Sequence, residues 1–115
     1  MLHEMKLNSD PFEKIKNKEK DVEVRLYDDK RKIIKLGDNI KFIKLPYAKE
    51  ELTVVVTGLS VFSTFKDLSN NFDNSRFGHQ NLNLDEQLKR IRSIYNENEE
   101  EEHGVIGIHL KLTHP

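Results

Sequence analysis

The chain has 115 residues and no cysteine, and its 19 lysines and arginines nearly balance its 20 aspartates and glutamates. This length predicts one domain, spanning residues 1–115, with one hydrophobic core. Without cysteine there is no disulfide and no thiolate ligand for a metal. No segment approaches the roughly 20 apolar residues of a membrane span, and the first residues lack a secretory signal pattern. We therefore expect a soluble, cytoplasmic protein and favour a monomer.

The charge is unevenly distributed along the chain. Residues 1–50 hold 13 basic and 10 acidic side chains, whereas the remainder holds 6 and 10. The net charge of −1 argues against a strong overall field for polyanions. The basic half predicts either an ordinary solvated surface or a local basic patch beside a binding site.

The first half of the sequence predicts a strand, a helix and three further strands. After the opening strand, Asp10-Pro11 is typical of a helix start, and we place a helix at 11–17. Period-2 alternation around Val24 predicts the next strand, and a turn follows at 28–30. Two more strands are predicted at 39–45 and 52–62, with a bulge at Gly58.

The second half predicts helices followed by a closing strand. A helix is expected at 64–71, a loop at 72–82 and an amphipathic helix after the cap residue Asn83. A short acidic helix ends at Gly104, and the last strand follows. This order predicts an α+β fold, a small, mostly antiparallel β-barrel with flanking helices. We expect the last strand to pair near the start of the chain and to close the sheet.

The candidate binding residues lie on the strand around Val24. Strand geometry places Glu23, Arg25 and Tyr27 on one face, and Lys20 lies at the strand's mouth. Arg25 is suited to a phosphate or a base edge, Tyr27 to stacking on a base and Glu23 to accepting from an amine. The alternative is that Glu23 and Arg25 form a solvated or cross-strand ion pair, which would contribute little.

A basic cluster follows this strand at Lys30, Arg31 and Lys32. It is either a solvated turn or a loop that contacts phosphates near Arg25. The five histidines have no close metal-ligand spacing, and there is no Gly-rich phosphate loop. We therefore expect no metal and no cofactor.

The run from Asn17 to Asp28, preceded by a helix and followed by Leu36-Gly37-Asp38, resembles the ASCH-domain signature. That signature is a G-x-K-x-x-E-x-R run after a helix and then a hydrophobic-Gly-Asp turn, and here Lys20, Glu23 and Arg25 stand at its intervals. Lys18 stands where the family usually has glycine, so we expect Asn17 to take the strained turn conformation. The resemblance implies a PUA-like barrel with a cleft beside the motif, which binds RNA or a modified nucleoside.

The resemblance also leaves an enzymatic function open. Some small bacterial members are similar to N4-acetylcytidine amidohydrolases, in which a Lys, a Thr and a Glu are implicated. By position these fall on Lys20, Glu23 and Gln80, so two of the three residue types differ. Other members are suspected of RNA cleavage, with Lys20 and Glu23 as candidate catalytic residues. A protein-interaction domain without a small ligand is the third alternative.

Overall fold

The structure, a computed structural model, describes residues 1–78 and 83–113. Within these residues ten helices and strands follow one another, with a 3₁₀ turn at Asn74–Phe77 before the fourth helix. The strands are β1 (Leu2–Leu7), β2 (Val22–Leu26), β3 (Asn39–Lys44), β4 (Glu51–Phe62) and β5 (Val105–Leu112). The helices are α1 (Ser9–Lys16), α2 (Asp29–Lys32), α3 (Phe65–Asn70), α4 (Leu84–Arg92) and α5 (Glu97–His103).

The five strands form one curled sheet in the order β1-β3-β4-β5-β2. The pair β1–β3 is parallel, and the other three pairs are antiparallel. The predicted α+β class and mostly antiparallel sheet are therefore confirmed. The predicted bulge is also confirmed, because the β4–β5 register shifts between Val56 and Gly58. A Cβ at Gly58 would lie 2.9 Å from the His109 ring, which explains the glycine there.

The predicted closure of the sheet is only half right. The last strand β5 does pair with β2, near the start of the chain. However, β1 and β2 remain the two edges, so the sheet is a half-barrel with a seam between them. At this seam the Arg25 guanidinium donates a 3.0 Å hydrogen bond to the Lys6 carbonyl. The Arg25 side chain thus satisfies the Lys6 carbonyl, which would accept from a backbone N–H if β1 and β2 were paired.

Two apolar clusters hold the elements together. The first packs α1, through Phe12 and Ile15, against β1, β3, β4 and β5. The second packs Val22 and Leu26 of β2 against α3 and α4. Since β2 contributes its apolar side chains to the second cluster, its Glu23–Arg25 face is turned toward the seam.

Two predicted irregular segments contain short helices. The predicted turn at 28–30 begins α2, whose N-terminus is capped by the Asp28 carboxylate accepting from the Arg31 N–H at 3.2 Å. The predicted loop at 72–82 contains the 3₁₀ turn, capped in the same way by Asp73. In the part of the chain that the structure describes, no helix is long and apolar enough to cross a membrane.

Candidate functional site

A tight turn between α1 and β2 positions Lys20. Lys18 takes the left-handed conformation with φ of 64°, and the Glu19 and Lys20 N–H groups then donate to the Lys14 carbonyl at 2.8 and 3.2 Å. Our expectation that Asn17 takes this conformation is wrong, since its φ is −88°. Asn17 is the last near-helical residue, and the left-handed position of such a helix end is the next residue along the chain.

Lys20 emerges from this turn into a buried group of three charged side chains. Its Nζ lies 3.2 Å from Glu23 Oε1 and donates to the Phe77 carbonyl at 3.4 Å. Arg25 Nε donates to Glu23 Oε2 at 2.9 Å, and Arg25 Nη2 lies 2.8 Å from the same oxygen. The side chains of Lys20, Glu23 and Arg25 are only 6%, 7% and 14% exposed. The ion pair is therefore buried, and the solvated alternative is wrong.

The pKa values of Glu23 and Arg25 are shifted in the directions that favour their ion pair. Burial alone raises the pKa of Glu23, but attraction to Lys20 and Arg25, with their hydrogen bonds, lowers it below the ordinary value. Burial lowers the pKa of Arg25, and its interactions with Glu23 and Tyr95 raise it by more. Glu23 is thus held as a carboxylate between two cations, and the triad carries one excess positive charge.

The triad lies on the wall of a cleft of about 430 Å³ at the seam of the half-barrel. The end of β1, the start of α1 and the strand β2 form one side, and α4 with its following turn forms the other. Apolar atoms of Val24, Leu45, Ile91 and Ile94 also line the cleft. Among the described residues, its charged lining consists of four cations and one carboxylate: Lys6, Lys20, Arg25, Arg90 and Glu23. The cleft thus combines an apolar surface with a positive charge.

Of the other predicted site residues, the described ones, Tyr27, Lys30 and Arg31, do not line this cleft. Tyr27 packs against the first apolar cluster, with the Lys32 Nζ 5.5 Å from its ring centroid. Lys30 is exposed on α2. Arg31 is held by Asp28, whose Oδ2 accepts from its Nη1 at 2.8 Å. Gln80 lies outside the described residues.

The sequence analysis missed the contribution of α4 and the turn after it. Tyr95 lines the cleft, interacts with Arg25 and stacks on Phe65 with ring centroids 5.6 Å apart. Burial raises the pKa of its hydroxyl, and the nearby Arg25 opposes this rise in part. Gln87 and Arg90 also line the cleft. The only available signal was the spacing of Ile91 and Tyr95 on an amphipathic helix, which indicates packing as readily as a site.

A second polar cluster lies outside the cleft, around His109. Its Nε2 is 3.0 Å from Ser60 Oγ, and its Nδ1 is 3.3 Å from Arg76 Nη2. Arginine has donors only, so Nδ1 must accept, and the neutral ring carries its hydrogen on Nε2 and donates it to Ser60. Because that nitrogen has no free lone pair, His109 cannot take a proton from Ser60, and this is not a serine–histidine nucleophile pair.

A sequence profile of the ASCH domain matches residues 5–114. The chain belongs to the ASCH domain family. The family is generally associated with RNA binding, and the half-barrel with flanking helices agrees with a small PUA-like fold. The motif residues Lys20, Glu23 and Arg25 are thus the ones that form the buried triad of this ASCH domain.

Two solved structures share the fold over their full length. The crystal structure of hypothetical protein PH0355 is 35% identical, with a TM-score of 0.87, covering 97% of this chain and 99% of that one. The solution NMR structure of protein PF0455 from Pyrococcus furiosus is 30% identical, with a TM-score of 0.79, covering 100% of both chains. No curated protein matches the sequence.

Proposed function

We propose that this ASCH domain binds RNA or a modified nucleoside in the seam cleft, through Lys20, Glu23 and Arg25. The observation that carries the proposal is the buried triad on the cleft wall, in which one carboxylate lies within 3.2 Å of each of two cations. A buried excess positive charge is costly unless an anion neutralises it. A phosphate or another anionic ligand would supply that neutralisation.

The triad retains donors for such a ligand. An ammonium has three donors and a guanidinium has five, and the contacts described above use only part of them. Glu23 orients both cations, because its two oxygens each meet a different one. The triad therefore resembles a preformed donor group whose geometry is fixed before the ligand arrives.

The dimensions of the cleft suit a nucleoside. Small-molecule sites occupy about 300–1,000 Å³, and the volume here falls in that range. Tyr95, Ile91 of α4 and Ile94 of the turn after it provide flat or apolar surface for a base. In this proposal the bound RNA continues past α2. Arg31 of this helix and its cap residue Asp28 interact electrostatically with Tyr95 in the cleft. Lys30, which is exposed on α2, would contact the backbone there.

Tyr27, Arg31 and Gln80 have smaller parts in the proposal. Tyr27 and Arg31 would support the cleft indirectly, since both already have partners within the protein. Gln80 lies outside the described residues, and its part in ligand binding stays a prediction from the sequence. We further propose that the protein acts as a monomer on cytoplasmic RNA.

The test is binding of a short, fluorescently labelled single-stranded RNA, followed by anisotropy at several salt concentrations. We expect Arg25→Ala to weaken binding by about tenfold or more, and to reduce the slope of log affinity against log salt by about one. Arg90→Ala is a milder variant, because its side chain at the cleft mouth is 52% exposed and can be removed without unfolding the protein. Lys41→Ala removes a cation of β3 outside the cleft and is the matched control.

Two results would contradict the binding proposal. One is an affinity that responds equally to Arg90→Ala and to Lys41→Ala. The other is an affinity that responds to neither change nor to salt.

Hydrolysis is a second candidate function, favoured by the burial of the Lys20 amine beside the cleft. In this alternative Lys20 is the base or nucleophile in deacylation of N4-acetylcytidine or in RNA cleavage. Hydrolysis is the second candidate because Glu23 is ion-paired with Lys20 and Arg25. A carboxylate whose pKa is lowered in this way is both a poor acid and a weak base. Incubation of the wild type and Lys20→Ala with both substrates tests it, and equal rates would exclude Lys20 from the chemistry.

A further inference from the structure

The inner wall of the cleft contains a buried amide whose hydrogen bonding is incomplete. Gln87 is only 1% exposed and lines the cleft. Its Nε2 donates to Ser69 Oγ at the long distance of 3.5 Å. Its Oε1 has no hydrogen-bond partner among residues 1–78 and 83–113. Gln87 therefore holds an unused, buried acceptor within the wall of the candidate site.

The position of Gln87 is fixed by α4. The Asn83 side chain caps the helix by accepting from the Glu86 N–H at 2.9 Å. Gln87, Arg90 and Ile91 are spaced three and four residues apart, so they share the helix face that lines the cleft. Ile91 also packs against the second apolar cluster, which holds this face in place.

An unused buried acceptor is expensive in a folded protein. Leaving such a group unsatisfied costs about 1–3 kcal/mol, whereas an apolar side chain of the same length would avoid that cost. Native structures contain few such groups, and they commonly have a role outside packing. A ligand donor that meets Oε1 would complete the hydrogen bonding of Gln87.

The two sides of the cleft define the chemistry of that ligand. Lys20 and Arg25 offer donors and therefore require an acceptor, such as a phosphate or a carbonyl. Gln87 Oε1 requires a donor, such as an amino group. Cytosine and adenine present an exocyclic amino group beside a ring acceptor, whereas uracil and hypoxanthine present a carbonyl at the same position.

We propose that Gln87 determines base specificity by accepting a hydrogen bond from the exocyclic amino group of cytosine or adenine. This inference rests on the proposed function, because it takes the seam cleft as the nucleoside site. It adds the class of base that the site selects and the residue that selects it.

The test compares two ligands that differ at one position, cytidine 5′-monophosphate and uridine 5′-monophosphate, by calorimetric titration. We expect the wild type to bind the cytidine nucleotide about tenfold or more tightly than the uridine nucleotide, since uracil would place a carbonyl against Oε1. Gln87→Met replaces the amide by an apolar side chain of similar length and should abolish the preference. Ser69→Ala removes the neighbouring hydroxyl but keeps Oε1, and it should preserve the preference.

A stability measurement separates a ligand role from a structural role. If Oε1 is satisfied only by a ligand, the ligand-free Gln87→Met variant should unfold at the same urea concentration as the wild type or at a higher one. A clear loss of stability in Gln87→Met, equal affinities of the wild type for the two nucleotides, or a preference for uridine would each overturn the inference. RNA binding that still depends on Arg90, without a base preference, would refute the role of Gln87 alone. If the wild type binds neither RNA nor either nucleotide, the proposed function fails as well.

Discussion

Replacing Glu23 by alanine should strongly destabilise the fold, because it leaves two buried cations without their shared carboxylate. Glu23 lies within 3.2 Å of Lys20 Nζ, and its other oxygen meets two nitrogens of Arg25 at 2.9 and 2.8 Å. Breaking a buried pair by removing one partner costs about 3–5 kcal/mol. For a chain of this length, that corresponds to a fall in the melting temperature of about 12–20 °C.

The assay is urea unfolding followed by circular dichroism, with Glu50→Ala as the control. Glu50 also contacts two cations, Lys16 and Lys44, at 3.3 and 3.4 Å, but this site is open to solvent and its loss should change little. A variant with all three triad residues replaced by Met, Leu and Met should recover most of the stability lost in Glu23→Ala. If Glu23→Ala loses no more than Glu50→Ala, the triad is not electrostatically coupled as we describe.

Two further predictions concern the backbone turn and the histidine cluster. Lys18→Gly should raise the free energy of unfolding by about 1 kcal/mol, because glycine adopts the φ of 64° without a steric cost, and a destabilised variant would contradict this reading. Burial and the neighbouring Arg76 lower the pKa of His109 below its ordinary 6.5, so neutral His109 stabilises the fold above that pH, and the contribution is lost as the pH falls through the folded-state pKa. Between about pH 7 and pH 5 the wild type should therefore lose more stability than His109→Gln in urea unfolding, and equal losses would refute the assignment.

Local sequence signals predicted most of the fold. The period-2 pattern around Val24, the cap at Asn83 and the glycine at 58 each correspond to an element or a bulge in the structure. The half-open seam was not predictable in this way. It depends on the Arg25 side chain meeting the Lys6 carbonyl, a contact between positions 19 residues apart that no local pattern encodes.

The candidate site was likewise predicted only in part from the sequence. The motif spacing predicted that Lys20, Glu23 and Arg25 form one site. Strand alternation could not predict that Glu23 is buried. Alternation also placed Tyr27 beside them, whereas the structure packs it into the first apolar cluster. Gln87 of α4 and Tyr95 of the turn after it come from a segment more than 60 positions away from the motif, and only the tertiary packing reveals them.

The most direct measurement of the central claim is a two-dimensional amide NMR titration of the wild type with a short single-stranded RNA. We expect the largest chemical-shift changes at the backbone amides of Lys20, Glu23, Arg25 and Tyr95, around the seam cleft. Shifts confined to other faces of the molecule, or no shifts at all, would contradict it.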